Sequence, residues 1–442
     1  MRVAVIGSGI AGLAAARGLV AGARVTLFEA AGWFGGHTHT VDVTLEGRTH
    51  GVDTGFLVFN ERTYPKLIAL FAELGVETAV SDMSFSVQAR DDGRAGLEWS
   101  GASLDSVFAQ RANLARPAFW RMLADVLRFN RLATALALDS TATGLASLDQ
   151  PIGAFLDAHR FSSAFRNWYF LPMIGCIWSC PTDQMLRFPI AAMIRFCHNH
   201  GLLQIVGRPQ WRTVRGGAKR YVIRMLEAID DARLASPVRQ VRRLAGGGVE
   251  VSTDAGTERF DAVVMACHSD QSLALLADPS EAERQVLGAI RYHANRAVLH
   301  TDRSVLPRRE RAWAAWNYER ATSADRESAS VCLHYLLNRL QPLPFMTPVI
   351  VSLNPSSPPS PASVQGTFDY AHPVFDAAAI AAQARLPSLQ GARGTWFCGA
   401  WTGFGFHEDG LASGLAVATQ LSARRMARAS APSPLPIAAA AA

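Results

Sequence analysis

The chain has 442 residues, of which 49% are hydrophobic and 18% charged, and its formal net charge is +6. This composition excludes a disordered or fibrous protein, and the length predicts two or three lobes. The charge comes from arginine, since Lys66 and Lys219 are the two lysines, and no nucleic-acid-binding module accompanies it, so we expect no nucleic-acid partner.

The opening residues, "MRVAVIGSG", run directly into a predicted strand, so the sequence predicts no signal peptide. No run of about 18 or more apolar residues predicts a membrane span. The six cysteines lack the paired spacing of a zinc site, which favours free thiols in a reducing compartment. We therefore expect a cytoplasmic protein without a metal site.

The segment "VAVIGSGIAGLAAARGL" places a short buried strand before three glycines, and a helix pattern follows. Gly7 permits a tight turn, Gly9 lets the backbone approach a pyrophosphate, and Gly12 lets helix and strand pack closely. The helix start itself, with Ile10 and Ala11, carries the partial positive charge that favours phosphates. This order of elements predicts a dinucleotide site.

The next predicted strand ends "RVTLFEA", which places Glu29 22 residues after Gly7. At this spacing the carboxylate accepts hydrogen bonds from ribose hydroxyls. Strand, glycine turn, helix and acid are thus in the register that dinucleotide binding requires.

Two following stretches, "AAGWFGGHTHTV" and "GVDTGFLVFNERTYP", resemble the FAD-binding amine oxidase superfamily, which includes protoporphyrinogen oxidases and phytoene desaturases. There a Gly-Gly turn meets the pyrophosphate and ribityl chain, and a D-x-G element lies beside the flavin. The resemblance implies FAD as cofactor and contacts from Gly35, Gly36, His37, Thr38 and Gly55. Many members have Arg where this chain has His37, and the alternative of a polar loop residue stays open.

Short alternating strands and Gly-rich turns around 233–267 predict a small β-meander that returns to a buried strand. The resemblance implies that Val238, of the pair "PV", contacts the adenine through its backbone. The FAD-binding domain is therefore predicted to be discontinuous, at 1–85, 207–270 and 390–428.

The remaining segments, 86–206 and 271–389, are predicted to form a substrate domain, and 429–442 a disordered tail. Segment 103–206 is mainly helical in pattern and 271–389 mixes helices and strands, which predicts an α+β substrate domain with a helical subdomain. Together with the Rossmann-like domain, this gives an α/β fold class of the amine-oxidase type. The segment "FAQRANLARPAFWRMLADVLRFNRL" interleaves arginines with aromatic residues, which predicts either a solvated helix face or peripheral contact with anionic lipid.

Near the C-terminus, "TWFCGAW" predicts a buried strand that ends at Gly399, where the resemblance implies approach of the ribityl chain or inner phosphate. A helix follows in "EDGLASGLAVATQL". Backbone N–H groups of Gly410 and Leu411 at its start are predicted to bond the flavin pyrimidine edge. Asp409 or Glu408 is expected to cap this helix.

The same loop also bears on the substrate. Phe404 and Phe406 are aromatic, and Lys219 is the lysine best placed in a flavin-facing segment. Amine oxidases typically hold the amine between aromatic rings and keep a lysine near flavin N5. Since no acidic pocket for an ammonium is evident, an apolar carbon substrate suits these residues better.

Across the chain, "GGHTHTV", "NHGLLQ", "RPQWRTVRGG", "DYAHPVFD" and "FCGAWTGFGFHEDGLASGL" are similar to a bacterial subfamily associated with fatty-acid methyltransferases. It includes the flavin-dependent desaturases of furan fatty acid biosynthesis. The resemblance implies dehydrogenation of a methyl-branched monounsaturated acyl chain of membrane phospholipids to a conjugated diene. A functional link to a methyltransferase, a homodimer, and a place on the inner face of the cytoplasmic membrane are further expectations.

Desaturation removes a hydride and a proton, and the candidate bases for the proton are His407, Glu408, His372 and His268. Each of them has the alternative of a structural residue or a cap. Other functions stay open: an amine oxidase for a small or polyamine substrate, a non-catalytic flavin-binding partner of a lipid-modifying complex, and a carotenoid-type desaturase or isomerase.

Overall fold

The computed structural model describes residues 1–89, 96–139, 150–179, 181–205, 207–320 and 331–430. Its strands are Arg2–Ile6 (β1), Arg24–Phe28 (β2), Thr40–Leu45 (β3), Arg48–Asp53 (β4), Phe59–Asn60 (β5), Thr78–Ser81 (β6), Phe85–Ala89 (β7), Leu97–Ser100 (β8), Trp211–Val214 (β9), Asp231–Arg233 (β10), Val238–Arg243 (β11), Val249–Thr253 (β12), Gly256–Phe260 (β13), Ala262–Met265 (β14), Arg291–His300 (β15), Trp316–Arg320 (β16), Cys332–Leu336 (β17), Ile350–Leu353 (β18), Val364–Val374 (β19) and Thr395–Phe397 (β20).

The α-helices are Ile10–Leu19 (α1), Pro65–Glu73 (α2), Leu104–Val107 (α3), Pro117–Leu138 (α4), Ile152–Ala158 (α5), Ser163–Phe165 (α6), Leu171–Trp178 (α7), Thr182–Met185 (α8), Ile190–Asn199 (α9), Lys219–Leu226 (α10), Ser269–Leu275 (α11), Glu281–Leu287 (α12), Leu337–Leu340 (α13), Ala377–Arg385 (α14) and His407–Ser430 (α15).

A parallel sheet in the order β10-β2-β1-β14-β20 forms the centre of the first domain. Its three inner strands, β2, β1 and β14, are mostly apolar because both faces of the sheet are covered, as parallel sheets require. Helices α1 and α15 pack on one face, and the meander β11-β12-β13 contributes to the core on the other. The predicted Rossmann-like domain is confirmed.

The second domain is built on a mixed sheet in the order β19-β15-β18-β17-β16-β7-β8. Its pairs are antiparallel except β16 with β7. Helices α4 to α9 enclose a separate aromatic-rich core beside this sheet. An α+β domain with a helical subdomain is what the fold class predicted, and the structure confirms it.

The parallel sheet takes its strands from three stretches of the chain, 2–28, 231–265 and 395–397, and each lies inside a predicted segment of the FAD-binding domain. The exact domain boundaries stay a prediction. Helix α15 continues to Ser430, so the first two residues assigned to a disordered tail are helical, and 431–442 lie outside the described residues.

Helix hydropathy and cysteine pairing agree with the predictions in the described residues. Within the described part of the chain, no helix has both the length and the hydropathy needed to cross a bilayer. The cysteines that the structure describes are free thiols, and Cys180 lies outside it.

Close packing of α1 against α15 places the start of α15 at the carboxyl edge of the parallel sheet. A Cβ on Gly414 would lie 2.1 Å from the carbonyl oxygen of Ala11, and one on Gly410 would lie 2.8 Å from the Ile10 side chain. Both contacts require glycine, since real Cβ atoms do not approach so closely. The C-terminal loop is thereby held beside the N-terminal glycine turn.

Candidate functional site

The glycine turn between β1 and α1 has the geometry of a phosphate loop. Gly7 has a φ of +101°, which favours glycine, and its N–H donates to the Phe28 carbonyl at 2.9 Å. A Cβ on Gly12 would lie 1.9 Å from the Gly7 carbonyl oxygen, so only glycine fits there. A Cβ on Gly9 would meet no atom within 4 Å, which leaves open space directly before the helix start.

Glu29 follows β2 and supports this loop from the side. One carboxylate oxygen accepts from the N–H and the hydroxyl of Ser8, at 2.9 and 2.5 Å, and the other accepts from the Ala31 N–H at 2.8 Å. Ser8 also accepts from the Gly35 N–H at 3.1 Å. Ser8 was missed by sequence reasoning, although its place between Gly7 and Gly9 marks it as part of the loop.

The Gly-Gly turn lies directly against the phosphate loop. Gly35 forms a bridge with Gly9, and a Cβ on Gly36 would lie 3.2 Å from the Gly9 Cα. Gly55 packs against His37, the residue after this turn, since a Cβ on Gly55 would lie 2.2 Å from the carbonyl oxygen of His37. The predicted cofactor-binding residues of the two motifs thus lie side by side at the phosphate loop.

His37 carries the clearest sign of a missing polar partner. Its Nε2 atom is buried and has no hydrogen-bond partner among the described residues. Burial, and secondarily His268, lower its pKa to about 4, so the ring is neutral. A buried polar atom without a partner is costly, and together with the open space at Gly9 it fits a bound dinucleotide with polar atoms at this depth.

Val238, the predicted adenine contact, begins β11 close to Glu29. The N–H of Ser236, two residues earlier, donates to the Glu29 carbonyl at 2.7 Å. The Val238 side chain is buried in the core on the meander side of the sheet. The contact itself stays a prediction.

The C-terminal loop differs in detail from the expectation. Gly399 follows β20, and its N–H donates to the Ser413 hydroxyl at 3.0 Å. Helix α15 begins at His407, so the Gly410 N–H already donates to the Phe406 carbonyl at 3.1 Å inside the first turn. Gly410 is therefore not a free donor at the helix start, and Leu411 is buried in the core. In the first turn of α15, the N–H groups of 407–409 have no acceptor within the helix.

Asp409 stabilises the loop that precedes the helix. One carboxylate oxygen accepts from the N–H groups of Phe404 and Phe406, both at 3.0 Å. Burial raises its pKa to about 6. This is a capping role, since the acid satisfies backbone donors just outside the helix.

Glu408 accepts hydrogen bonds from a second helix, and its role as the catalytic base stays a prediction. Its two carboxylate oxygens accept from the backbone N–H groups of Lys66 and Leu67, at 2.9 and 3.0 Å. These are the first-turn donors of α2, where a carboxylate also interacts favourably with the helix dipole. Glu408 thus caps a second helix.

His407 lies at the centre of a buried polar contact. Its Nε2 lies 2.7 Å from the Tyr221 hydroxyl and 3.0 Å from the hydroxyl of Thr38, which was predicted to contact the cofactor. Its ring stacks on Phe56 with centroids 3.7 Å apart. Burial, and then His37, lower its pKa to about 3, so the imidazole is neutral and a weak base.

The other two histidine candidates meet His37 between the domains. The His37 ring centroid is 5.4 Å from that of His372 and 6.1 Å from that of His268. Burial is the main cause that lowers their pKa, to about 3 for His372 and about 4 for His268. Tyr370 stacks against His37 at 5.0 Å. This histidine cluster (His37, His268 and His372) is uncharged at neutral pH.

Hydrogen bonding fixes the tautomer of His372. Its Nδ1 lies 2.9 Å from the Asn295 amide nitrogen, and the Asn295 amide oxygen accepts from Asn354 at 2.7 Å. The Asn295 nitrogen is therefore the donor and Nδ1 the acceptor, which places the His372 ring proton on Nε2. In this form Nε2 offers a donor, and the role of His372 as the base stays a prediction.

The aromatic residues of the loop pack against the helical subdomain. Phe406 stacks on Phe196 of α9 at 4.9 Å, and Phe404 lies 6.3 Å from the same ring. Lys219 instead pairs with Asp42, at 2.6 Å, on an exposed surface. The Lys219 ammonium therefore already has a carboxylate partner.

Comparisons of the sequence with known proteins support a flavin site. The model of flavin containing amine oxidoreductases matches residues 10–342. A carotenoid phi-ring synthase from Streptomyces griseus is 29% identical over 323 residues, which cover 68% of this chain and 57% of that protein. A putative flavin-containing monoamine oxidase from Mycobacterium tuberculosis is 29% identical over 290 residues, 63% of this chain and 59% of that protein. The chain thus spans less than two thirds of these relatives.

Solved structures share the fold over nearly the whole chain. A putative protoporphyrinogen oxidase from Exiguobacterium sp. 255-15 has a TM-score of 0.67 at 16% identity and covers 96% of this chain and 99% of its own. Putrescine oxidase bound to putrescine has a TM-score of 0.65 at 17% identity, with 96% and 100% covered. A CLA-producing fatty acid isomerase from P. acnes has a TM-score of 0.62 at 15% identity, with 95% and 98% covered. At these identities the likeness establishes the fold alone.

Proposed function

The chain belongs to the flavin containing amine oxidoreductase family, with FAD as its cofactor, and we propose that it desaturates a methyl-branched monounsaturated acyl chain carried by a phospholipid. One C–H bond on the allylic, methyl-bearing carbon breaks with loss of a hydride, and the neighbouring carbon loses a proton. The acyl chain is oxidised to a conjugated methylated diene. FAD, when bound, supplies the hydride acceptor and returns its electrons to O2 or a membrane quinone.

This proposal rests on the hydrogen bonds and ion pairs of the charged residues in and near the C-terminal loop. Glu408 and Asp409 accept from backbone N–H groups, and Lys219 pairs with Asp42. The charges that would recognise an ammonium substrate or act as a flavin-side lysine are thus engaged in structural bonds. What faces the junction of the domains is neutral imidazole and aromatic rings.

An acyl chain needs an apolar route to this junction. The contacts of Phe404 and Phe406 with Phe196 give the loop an apolar side against the helical subdomain. An acyl chain passes such a surface without loss of hydrogen bonds, whereas a polyamine pays for desolvation at each nitrogen. A fatty acid isomerase with this fold is consistent with an acyl substrate.

Within this proposal the residues of the chain bind, orient and move a proton. The Gly9 loop and Glu29 hold the dinucleotide end, and His37 and the Nε2–H of His372 offer polar contacts deeper in the site. Of the four predicted bases, we propose His407 or His268, since both rings are neutral and neither has its tautomer fixed by an amide partner. Because a methyl branch must be present first, a methyl-transfer reaction supplies the substrate.

The test is product analysis with a panel of substrates. The purified yellow protein is incubated with phospholipids that carry methyl-branched monounsaturated chains, with the unbranched lipids as matched controls. We expect a conjugated-diene absorbance from the branched lipid, together with peroxide where O2 is the acceptor. Amines and a carotenoid precursor form the other arms. Peroxide from an amine with no diene from lipid supports an amine oxidase, and FAD that no arm reduces indicates a non-catalytic flavin partner.

A further inference from the structure

Helix α4, with 22 residues, shows an exposed face of unusual composition. Its buried face packs Phe119, Met122, Phe129 and Ala133 into the protein. The opposite face combines aromatic, aliphatic and basic side chains, with its exposed members Pro117, Ala118, Trp120, Arg121, Ala124, Leu127, Arg128, Arg131, Ala135 and Leu138. Trp120 is 50% exposed and Leu127 49%. A face with such large apolar side chains usually has a partner.

The charge on this face has one sign. Asp125 is the acid of α4, and it is turned inward, where it accepts from the Ser162 N–H at 3.0 Å. It also pairs with Arg128 at 3.0 Å and, more distantly, with Arg121 at 3.7 Å. The exposed face of α4 therefore presents arginines without an exposed carboxylate of its own. Its partner must be apolar and anionic.

A further apolar side chain extends the face beyond the start of the helix. Leu114 is 51% exposed, and the Trp120 indole N–H donates to the Leu114 carbonyl at 2.9 Å. The indole is thus held in place while half of it faces outward. Tryptophan with an apolar ring and a satisfied N–H is typical of the boundary between lipid and water.

We propose that this face, from Leu114 along α4 to Leu138, docks on an anionic phospholipid bilayer. Leucines and Trp120 enter the level of the headgroups, and Arg121 and Arg131 meet lipid phosphates. A second copy of the chain fits less well, because a two-fold interface would set these arginines against each other.

The position of α4 connects this surface to the site. Helix α4 packs against α9, and α9 carries Phe196, which stacks on Phe406 of the C-terminal loop. An acyl chain that leaves the bilayer would therefore meet the aromatic contact within two layers of helix. In this respect the inference rests on the proposed function, although lipid docking itself does not require catalysis.

The test is flotation of the FAD-loaded protein with vesicles that lack methyl-branched chains. One set contains phosphatidylglycerol and phosphatidylcholine, the other phosphatidylcholine alone. We expect binding to the anionic set that weakens with salt, and a loss of roughly 10-fold or more in Trp120→Ser/Leu127→Ser. Arg121→Gln/Arg131→Gln should weaken binding by roughly 10- to 30-fold. The matched control is Ile223→Ser/Met346→Ser, which removes two side chains exposed elsewhere, at 54% and 90%.

Several outcomes overturn the inference. Equal binding to both vesicle sets removes the role of charge, and wild-type binding by both α4 variants places the contact elsewhere. A dimer in sedimentation velocity that Trp120→Ser/Leu127→Ser dissociates assigns the face to a second copy. Retained FAD and circular dichroism exclude misfolding of the variants. Detergent-dispersed substrate separates the two proposals, because a variant that only fails to dock still turns it over, whereas no turnover by wild type refutes the proposed function alone.

Discussion

Replacement of Glu408 by Ala separates a structural from a catalytic role for this carboxylate. In the structure Glu408 accepts from the N–H groups of Lys66 and Leu67 in the first turn of α2. Glu408→Ala leaves both donors without their acceptor and removes a negative charge from the start of the helix. Glu408→Gln keeps one acceptor oxygen at nearly the same volume.

The magnitude follows from these two contacts. Hydrogen bonds to a charged group contribute about 1.5–3 kcal/mol each when buried, and the helix dipole about 0.3–1 kcal/mol. Because the pair lies partly in solvent, we expect a total loss of about 2–3 kcal/mol for Glu408→Ala and about 1 kcal/mol for Glu408→Gln. The flavin-reduction rate of the folded protein should change little.

The assay combines urea unfolding with anaerobic flavin reduction in the same preparations. Glu77→Ala is the matched control, since its side chain is 75% exposed and pairs with Arg215 only at 3.9 Å. A Glu408→Gln protein of wild-type stability whose flavin reduction falls by roughly 100-fold or more would refute a purely structural role and identify Glu408 as the base.

Three further predictions concern the cofactor site and pH. Gly9→Ala should fold normally but lose affinity for FAD, whereas Gly12→Ala should not give a folded protein, because its Cβ would lie 1.9 Å from the Gly7 carbonyl oxygen; FAD titration and circular dichroism check this, and tight FAD binding by Gly9→Ala contradicts it. The pKa of His407 is lowered to about 3, so its stabilisation is present above about pH 6.5 and is lost as the pH falls toward about 3. Between about pH 7 and about pH 5, the free energy of unfolding of His407→Phe should therefore fall by about 2 kcal/mol less than that of wild type, as measured by urea unfolding. An equal pH dependence of the two proteins would argue against a buried neutral ring. Burial lowers the pKa of His334, but Cys332 and Glu319 raise it to about 9 overall, so its stabilisation is present below about pH 6.5 and is lost as the pH rises through about 9. The alkaline loss, about 3 kcal/mol, should disappear in His334→Gln, and its persistence would assign it to other groups.

The sequence predicts best where the chemistry is local. Gly7, Gly9, Gly12 and Glu29 lie within one strand–turn–helix–strand unit, and their spacing alone requires the geometry found. The fold class and FAD follow from this unit and from the resemblance of the later motifs, and the structure and family match confirm both.

Contacts between residues that lie far apart in the sequence could not be predicted. The N–H groups that donate to Glu408, at 66 and 67, are more than 340 residues away from it. The partner of Lys219, Asp42, is 177 residues away. The tautomer of His372 depends on Asn295, 77 residues away on a neighbouring strand. Periodicity and composition carry no information on such contacts, since they arise only from the register of sheets and the packing of domains.

Acyl-chain desaturation is tested most directly by anaerobic single-turnover mixing of the FAD-loaded protein with a methyl-branched monounsaturated phospholipid. The lipid is used unlabelled and with deuterium on the allylic, methyl-bearing carbon. We expect loss of flavin absorbance with formation of one conjugated diene per reduced flavin, and slower loss with deuterium. Unchanged flavin absorbance with this lipid, together with bleaching by an amine, would contradict it.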